Sequence, residues 1–231
     1  MDFGVLRSKI VSIARERGVA GATRAVGRHV WRKLRGSPID DFDRHHGTDT
    51  SGELALWEMK VSSPSARFGT RYQASPKDEL VRVVNGLDID TKDFSFIDLG
   101  AGKGRTLLVA ARLGFRRVIG VEISEELADI ARSNLAKLNV TNALVIHGDA
   151  ADYMFPSGGL VVYLYNPFTA PVMALVVRAL EYRVEHGALD EIYVVYNRPN
   201  CAALLDQSKF LRRVSGAHDS RHIAIWKATV R

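Results

Sequence analysis

Four short stretches carry residue types suited to ligand chemistry. The first is Asp98-Leu99-Gly100-Ala101-Gly102-Lys103-Gly104, a D-x-G-x-G-x-G run. Glycines let the chain turn tightly and approach a ligand with its backbone, and a helix starting next adds N–H groups facing it. The second is Ile119-Gly120-Val121-Glu122, with Ile123 beside it, whose acid lies 18 residues past Gly104. A carboxylate at that point can accept both hydroxyls of a ribose, as in nucleotide-binding folds, or it can cap the next helix. The third is His147-Gly148-Asp149-Ala150 and the fourth Tyr163-Leu164-Tyr165-Asn166-Pro167-Phe168. Asn166-Pro167 is either a turn that ends a strand or a polar group facing the ligand. Together the loop and Glu122 predict a nucleotide-like ligand. The dinucleotide fingerprint G-x-G-x-x-G/A needs Gly or Ala where Arg105 stands, which argues against a nicotinamide dinucleotide. Asp98 has its own two readings, a local cap and a group that orients the loop and an amino group of the ligand.

These residues need elements to position them, and hydrophobic periodicity supplies them from Ser75 onward. Ser75-Pro76-Lys77-Asp78 reads as a capping serine followed by a proline at the first helical position, with a helix to about Gly86. Strands are predicted over 94–99, 116–121, 143–147, 160–165 and 191–196. Helices are predicted over 103–113, 125–138 (capped by Ser124), 171–186 and 200–207. The last two strands, 210–214 and 222–229, have only a short turn between them and must pair antiparallel. Alternating strands and helices imply a doubly wound, mostly parallel seven-stranded α/β sheet (Rossmann-like), here closed by an antiparallel C-terminal hairpin. In such a sheet ligands sit at the carboxyl ends of the strands, where all four stretches fall.

Phe96–Arg105 resembles motif I of the class I (seven-strand) S-adenosylmethionine (SAM)-dependent methyltransferases. Gly120-Val121-Glu122 resembles their ribose-binding strand end, and His147–Ala150 their adenine motif. The resemblance covers about 76–231 and implies SAM as cofactor. It implies contacts from Asp98, Gly100, Ala101, Gly102, Gly104, Glu122, Ile123 and Asn166. It further implies that Asp149 accepts from the adenine amino group and that the Ala150 N–H meets a ring nitrogen. Asn166-Pro167-Phe168 is similar to the N/D-P-P-Y/F motif of amino-group methyltransferases, one residue short. By that likeness Asn166 accepts from the substrate amine, while Pro167 and Phe168 pack on the substrate. The layout also looks like non-SET protein-lysine methyltransferases, in which the segment before the first core helix closes over the cofactor. This makes Tyr72 a lid residue lining the methyl channel, its alternative being packing at the sheet edge. The expected reaction is methyl transfer to a nitrogen of a protein side chain or small molecule. The alternatives are a nucleic-acid base N-methyltransferase and a SAM-binding scaffold without turnover.

Composition narrows the setting. The 231 residues carry a net charge of +6, but residues 1–35 hold nine Lys or Arg and two acids, a local +7, so the remainder is −1. That arm, with apolar residues at helical spacing, is expected to form two short amphipathic helices. It is expected to pack on the body or to touch nucleic acid or an anionic membrane surface. Residues 36–75, rich in Gly, Ser, Pro and Asp, read as an irregular connector or lid. No run approaches the roughly 18 apolar residues of a membrane span, and no secretory leader is legible. Cys201 is the single cysteine, which excludes an internal disulfide and fits a reducing, cytoplasmic compartment. His45-His46 reads as a solvated pair, and no metal-ligand spacing such as H-E-x-x-H occurs.

Overall fold

The computed structural model describes residues 39–229 except 60, 62, 188–189 and 215–221. The chain divides into two units, Met1–Asp40 and Asp41–Arg231. The expected basic helices of 1–35 lie outside the described residues.

The second unit begins with helix α1 (Asp41–His46), strand β1 (Glu53–Leu54) and strand β2 (Tyr72–Gln73). It continues as α2 (Lys77–Asn85), β3 (Phe94–Leu99), α3 (Arg105–Arg112), β4 (Arg117–Glu122) and α4 (Glu125–Lys137). After β5 (Ala143–His147) come β6 (Gly159–Tyr165), α5 (Ala170–Glu185), β7 (Glu191–Asn197), α6 (Ala202–Asp206), β8 (Arg212–Val214) and β9 (Ile223–Thr229).

The large sheet has seven strands in the order β5-β4-β3-β6-β7-β9-β8. The ladders from β5 to β7 are parallel, while β9 pairs antiparallel with both β7 and β8. The mostly parallel sheet with its closing hairpin therefore matches the expectation from the sequence. Order reverses at β3, from which the chain winds first toward β5 and then, through β6, toward β8. That makes the β3 and β6 carboxyl ends the switch point.

Both faces of the sheet are covered, so its strands read as near-continuous apolar runs whose alternate residues feed different cores. Ile97, Leu99, Leu160, Val162, Leu164, Ile192 and Val194 pack toward α5 and α6. Phe94, Phe96, Val161, Tyr163, Tyr193 and Val195 pack toward α2 and α3. Asp98 shares the Phe96 face, buried at the strand end. Trp226 of β9 is fully buried, and its indole N–H donates to Asp206 at 2.8 Å, tying α6 to the sheet. Truncating such a side chain to alanine typically costs roughly 3–5 kcal/mol.

Two local expectations are corrected. Ser75 does not cap α2: Pro76 takes the cap position, with no side-chain cap bond, and Ser75 is buried. The described part of the connector is not irregular. It holds α1, the β1–β2 pair and two 3-10 turns, Leu56–Glu58 and Pro64–Phe68. The order comes from long-range partners, described next, that leave no local periodicity to read.

Candidate cofactor and acceptor site

The strand ends carry a cavity of about 870 Å³, its open mouth included. Its wall includes Asp98, Gly100, Ala101, Glu122, Ile123, Asp149, Ala150, Tyr72, Pro167 and Phe168, so most of the residues singled out in the sequence meet in one place. Val121, Leu127, Phe168 and Val172 give it apolar sides. An apolar cleft with a few convergent polar groups is the usual make-up of a ligand site.

Each polar group is held by its element. Glu122, last in β4, is 5% exposed and accepts from the backbone N–H groups of Gly102 (2.7 Å) and Ser124 (2.9 Å). Burial raises its pKa, against those backbone donors. A carboxylate has about four acceptor positions, so room remains for ligand hydroxyls. Asp98 accepts a short hydrogen bond from the Thr106 hydroxyl. Burial pushes its pKa up to about 7; the Thr106 bond opposes this and the nearby Glu122 charge adds to it. Asp149 caps the 3-10 turn Ala150–Asp152 through the Ala151 N–H (2.9 Å) and accepts from the Ser63 hydroxyl (2.5 Å).

The glycines divide their labour. Gly100 has φ +85°, and a Cβ there would lie 2.6 Å from the Pro167 side chain, so the loop after β6 packs on it. Gly102 has φ +55° and lies flush beneath the Tyr72 ring, which leaves no space for a side chain. Gly102 and Gly104 are not on the cavity wall. Gly104 instead faces Ala131 of α4.

A strap covers the cavity. The Thr70 hydroxyl donates to the Asn166 carbonyl (2.6 Å) and the Thr70 N–H to the Pro167 carbonyl (2.9 Å), while the Thr169 N–H donates to Phe68 (2.8 Å). Tyr72 continues the strap, its hydroxyl donating to the Thr50 carbonyl (2.6 Å). Burial pushes the Tyr72 phenol well above its ordinary range. Asn166, at φ +43°, is not on the cavity wall. Its carbonyl serves Thr70, and its side-chain oxygen sits 3.5 Å from the Tyr196 hydroxyl. Tyr165 and Phe168, on either side, do line the cavity.

Sequence reasoning missed the anchor beneath the strap. Asp43 of α1 is 2% exposed and accepts from the hydroxyls of Thr48 and Thr50 (2.7 Å each) and Ser51, and from the N–H groups of Thr50 and Ser51. Burial works against its ionisation, but these donors outweigh it and hold the pKa at about 2. Arg105 donates to Thr50 (2.8 Å) and Lys103 to Asp49 (2.6 Å). The one signal in the sequence was a Lys and an Arg at the buried start of the helix that follows the glycine loop.

The switch-point cavity, the loop–carboxylate pair and the closing hairpin agree with the methyltransferase resemblance read from the sequence. Residues 96–196 match a family model described as a methyltransferase domain. Over 115 residues the chain is 32% identical to the ribosomal protein L11 methyltransferase of Clostridium perfringens, which covers 49% of this chain and 34% of the relative. A Methanocaldococcus jannaschii protein described as a protein N5-glutamine methyltransferase is 29% identical over 39% of this chain and 44% of its own. The chain thus spans about a third of the length, 34%, of the first of these relatives. In structure it is similar to the Escherichia coli protein yhhF, described as a methyltransferase (TM-score 0.54, 19% identity, 78% of this chain and 100% of the other).

The residues present fit SAM. Glu122 and Asp149 offer acceptors for ribose and adenine, with Ile123, Leu127 and Val172 as apolar walls. Asp98 and Arg105, opposite charges on the same wall, suit the ammonium and carboxylate of the methionine part. Among the described residues no group of three or more His, Cys, Asp and Glu is arranged to hold a metal ion. No described helix is long and apolar enough to cross a membrane.

Proposed function

We propose that the chain transfers the methyl group of SAM to a nitrogen of a protein side chain or small molecule. SAM supplies a methyl on a sulfonium, open to direct displacement by a nucleophile held in line. Among the described residues the cavity wall carries no His, Lys or Cys, and its carboxylates, Asp98, Glu122 and Asp149, cluster on the glycine loop and the strand ends beside it. Burial raises the pKa of both wall phenols, Tyr72 and Tyr165, which therefore stay protonated at neutral pH. A site without a free base suits an uncharged nitrogen that already carries its lone pair. This wall chemistry is the observation that carries the reading. The activities named for two relatives, on ribosomal protein L11 and on a protein glutamine, accord with it.

In this reading Glu122 and Asp149 fix the nucleoside, Asp98 and Arg105 fix the amino-acid end, and the strap keeps water out. Asn166 acts by holding Thr70 and the turn before Phe168, a positioning part, while Tyr72 and Phe168 shape the channel. The basic arm of 1–35 remains a candidate contact for nucleic acid or an anionic membrane, and the single cysteine supports a cytoplasmic setting.

Incubating the protein with radiolabelled SAM and cell extract tests the assignment. Label stable to mild alkali in a protein or small-molecule fraction is the expected result. Alkali-labile label would mean a carboxylate oxygen is the acceptor, label in nucleic acid a base methyltransferase, and SAM binding without transfer a scaffold.

A further inference from the structure

One cluster at the cavity mouth is unused by this reading. Tyr165, the last residue of β6, lines the cavity, and the Arg198 guanidinium lies over its ring, 5.2 Å from the centroid. The Gln73 side-chain oxygen accepts from Arg198 (3.3 Å) and from Arg71 (3.4 Å), and Arg71 and Gln73 also line the cavity. Two guanidinium groups thus converge on one neutral oxygen.

The carboxylates nearby do not close this arrangement. Glu53 stands 4.0 Å from Arg71, both side chains more than half exposed, where screening leaves such a pair little worth. Glu79 is engaged by the Asn197 amide at 2.8 Å. Among the described residues Arg198 forms no ion pair. Arg198 also sits at φ +53° just before Pro199, a backbone region unfavourable to residues other than glycine, where its N–H donates to the His222 carbonyl (2.5 Å). Such conformations persist where the surroundings over-determine them, commonly at ligand sites.

Guanidinium groups prefer an ionised oxygen to an amide, because charge-assisted bonds are shorter and about twice as strong. The amide oxygen of Gln73 occupies the place an oxygen of a phosphate or carboxylate would take. Two cations at one point suit one oxyanion group, whereas a polyanion is held by a run of cations along a track. We propose that Arg71 and Arg198, set around Gln73, bind an oxyanion group of the methyl acceptor, which is therefore a small anionic molecule. It docks its phosphate or carboxylate at the mouth while its nitrogen passes Tyr165 into the cavity. This rests on the methyl-transfer reading above.

The test uses the full chain saturated with the demethylated product of SAM, titrated with inorganic phosphate and separately with acetate, followed by NMR shifts of the arginine Nε–H groups. The stronger of the two probes identifies the group. Arg198→Ala and Arg71→Ala are each expected to weaken it at least about tenfold, a loss of about 1.4 kcal/mol. Arg132→Ala, on α4 beside the opposite sheet edge, should leave it unchanged, and the affinity for the SAM product should stay the same in Arg198→Ala and Arg132→Ala, since neither residue lines the cavity. Failure of both probes to perturb the two arginines at tens of millimolar overturns the proposal, as does binding that neither mouth variant weakens. If the wild type does not bind the SAM product at all, the methyl-transfer reading falls instead. In the extract assay, transfer confined to protein, or to small molecules that pass an anion-exchange resin, also counts against the proposal.

Discussion

Asp98 and Asp43 are two buried carboxylates in the same unit, and burial acts on both in the same direction. Donor count separates them. Asp98 has one hydroxyl donor and a neighbouring charge, so its pKa rises to about 7. Its ionisation disfavours the folded state, and the stability it contributes, full below the ordinary value of 3.8, is lost as pH rises through about 7. Asp98→Asn is therefore expected to raise the melting temperature of the ligand-free protein at pH 8 relative to wild type, the gap narrowing as pH falls and vanishing below the ordinary value of 3.8. The same carboxylate must be charged to meet a ligand ammonium, so calorimetric SAM affinity should decline as pH falls below about 7 and should be weak in the Asn variant at every pH. Asp43 runs the other way. With its pKa held at about 2, its contribution is present above the ordinary 3.8 and is lost as pH falls from there through about 2. Asp43→Ala removes a charged acceptor and strands several buried donors, an expected cost of about 2–4 kcal/mol in denaturant unfolding at pH 7. At Glu122, exchange for Gln puts an amide N–H₂ against one of the two backbone donors, since the Gly102 and Ser124 N–H groups point at different oxygens. SAM affinity is expected to fall by roughly 10–100-fold, the value of a charged hydrogen bond.

At the scale of elements, what could be read in the sequence followed from periodicity and spacing. The strands from β3 to β7 are apolar runs of five to seven residues ended by Gly, Asn or acid, and each falls within a residue or two of its expected span. The loop before α3 was legible because three glycines at alternate positions have few other uses. The strap and α1 were not. Asp43 meets Arg105 and Asp49 meets Asn134 across 62 and 85 residues of chain, and such pairs imprint no period on either partner. Asn166 shows a different limit. Its type and place were readable, but the direction of its side chain is set by a φ of +43° and by Thr70, which lies 96 residues earlier. Thr70→Val removes the hydroxyl that serves the Asn166 carbonyl while keeping the shape. We expect faster hydrogen exchange over 63–73, with a stability loss of only about 1 kcal/mol.

On the scale of the whole molecule, the second unit holds two cores, one on each face of its sheet. A chain starting at residue 39 is expected to unfold cooperatively and to bind SAM as tightly as the full chain. Loss of binding in that truncation would move part of the site into the first unit. Because 1–35 carries +7, removing it should also abolish any salt-sensitive retention on polyanionic resins, since the remainder of the chain is −1.

The strap over the cavity has a temporal consequence. The Ser63 hydroxyl is on Asp149, where an adenine amino group would bind, and Thr70 is bonded to the loop after β6. If Asp149 holds adenine as proposed, exchange of spent for fresh cofactor is expected to require those bonds to open, and the catalytic cycle to run at the tempo of opening rather than of bond exchange at carbon. The signature is a rapid first turnover followed by a slower steady rate in quenched-flow, with Thr70→Val raising the second phase and sparing the first.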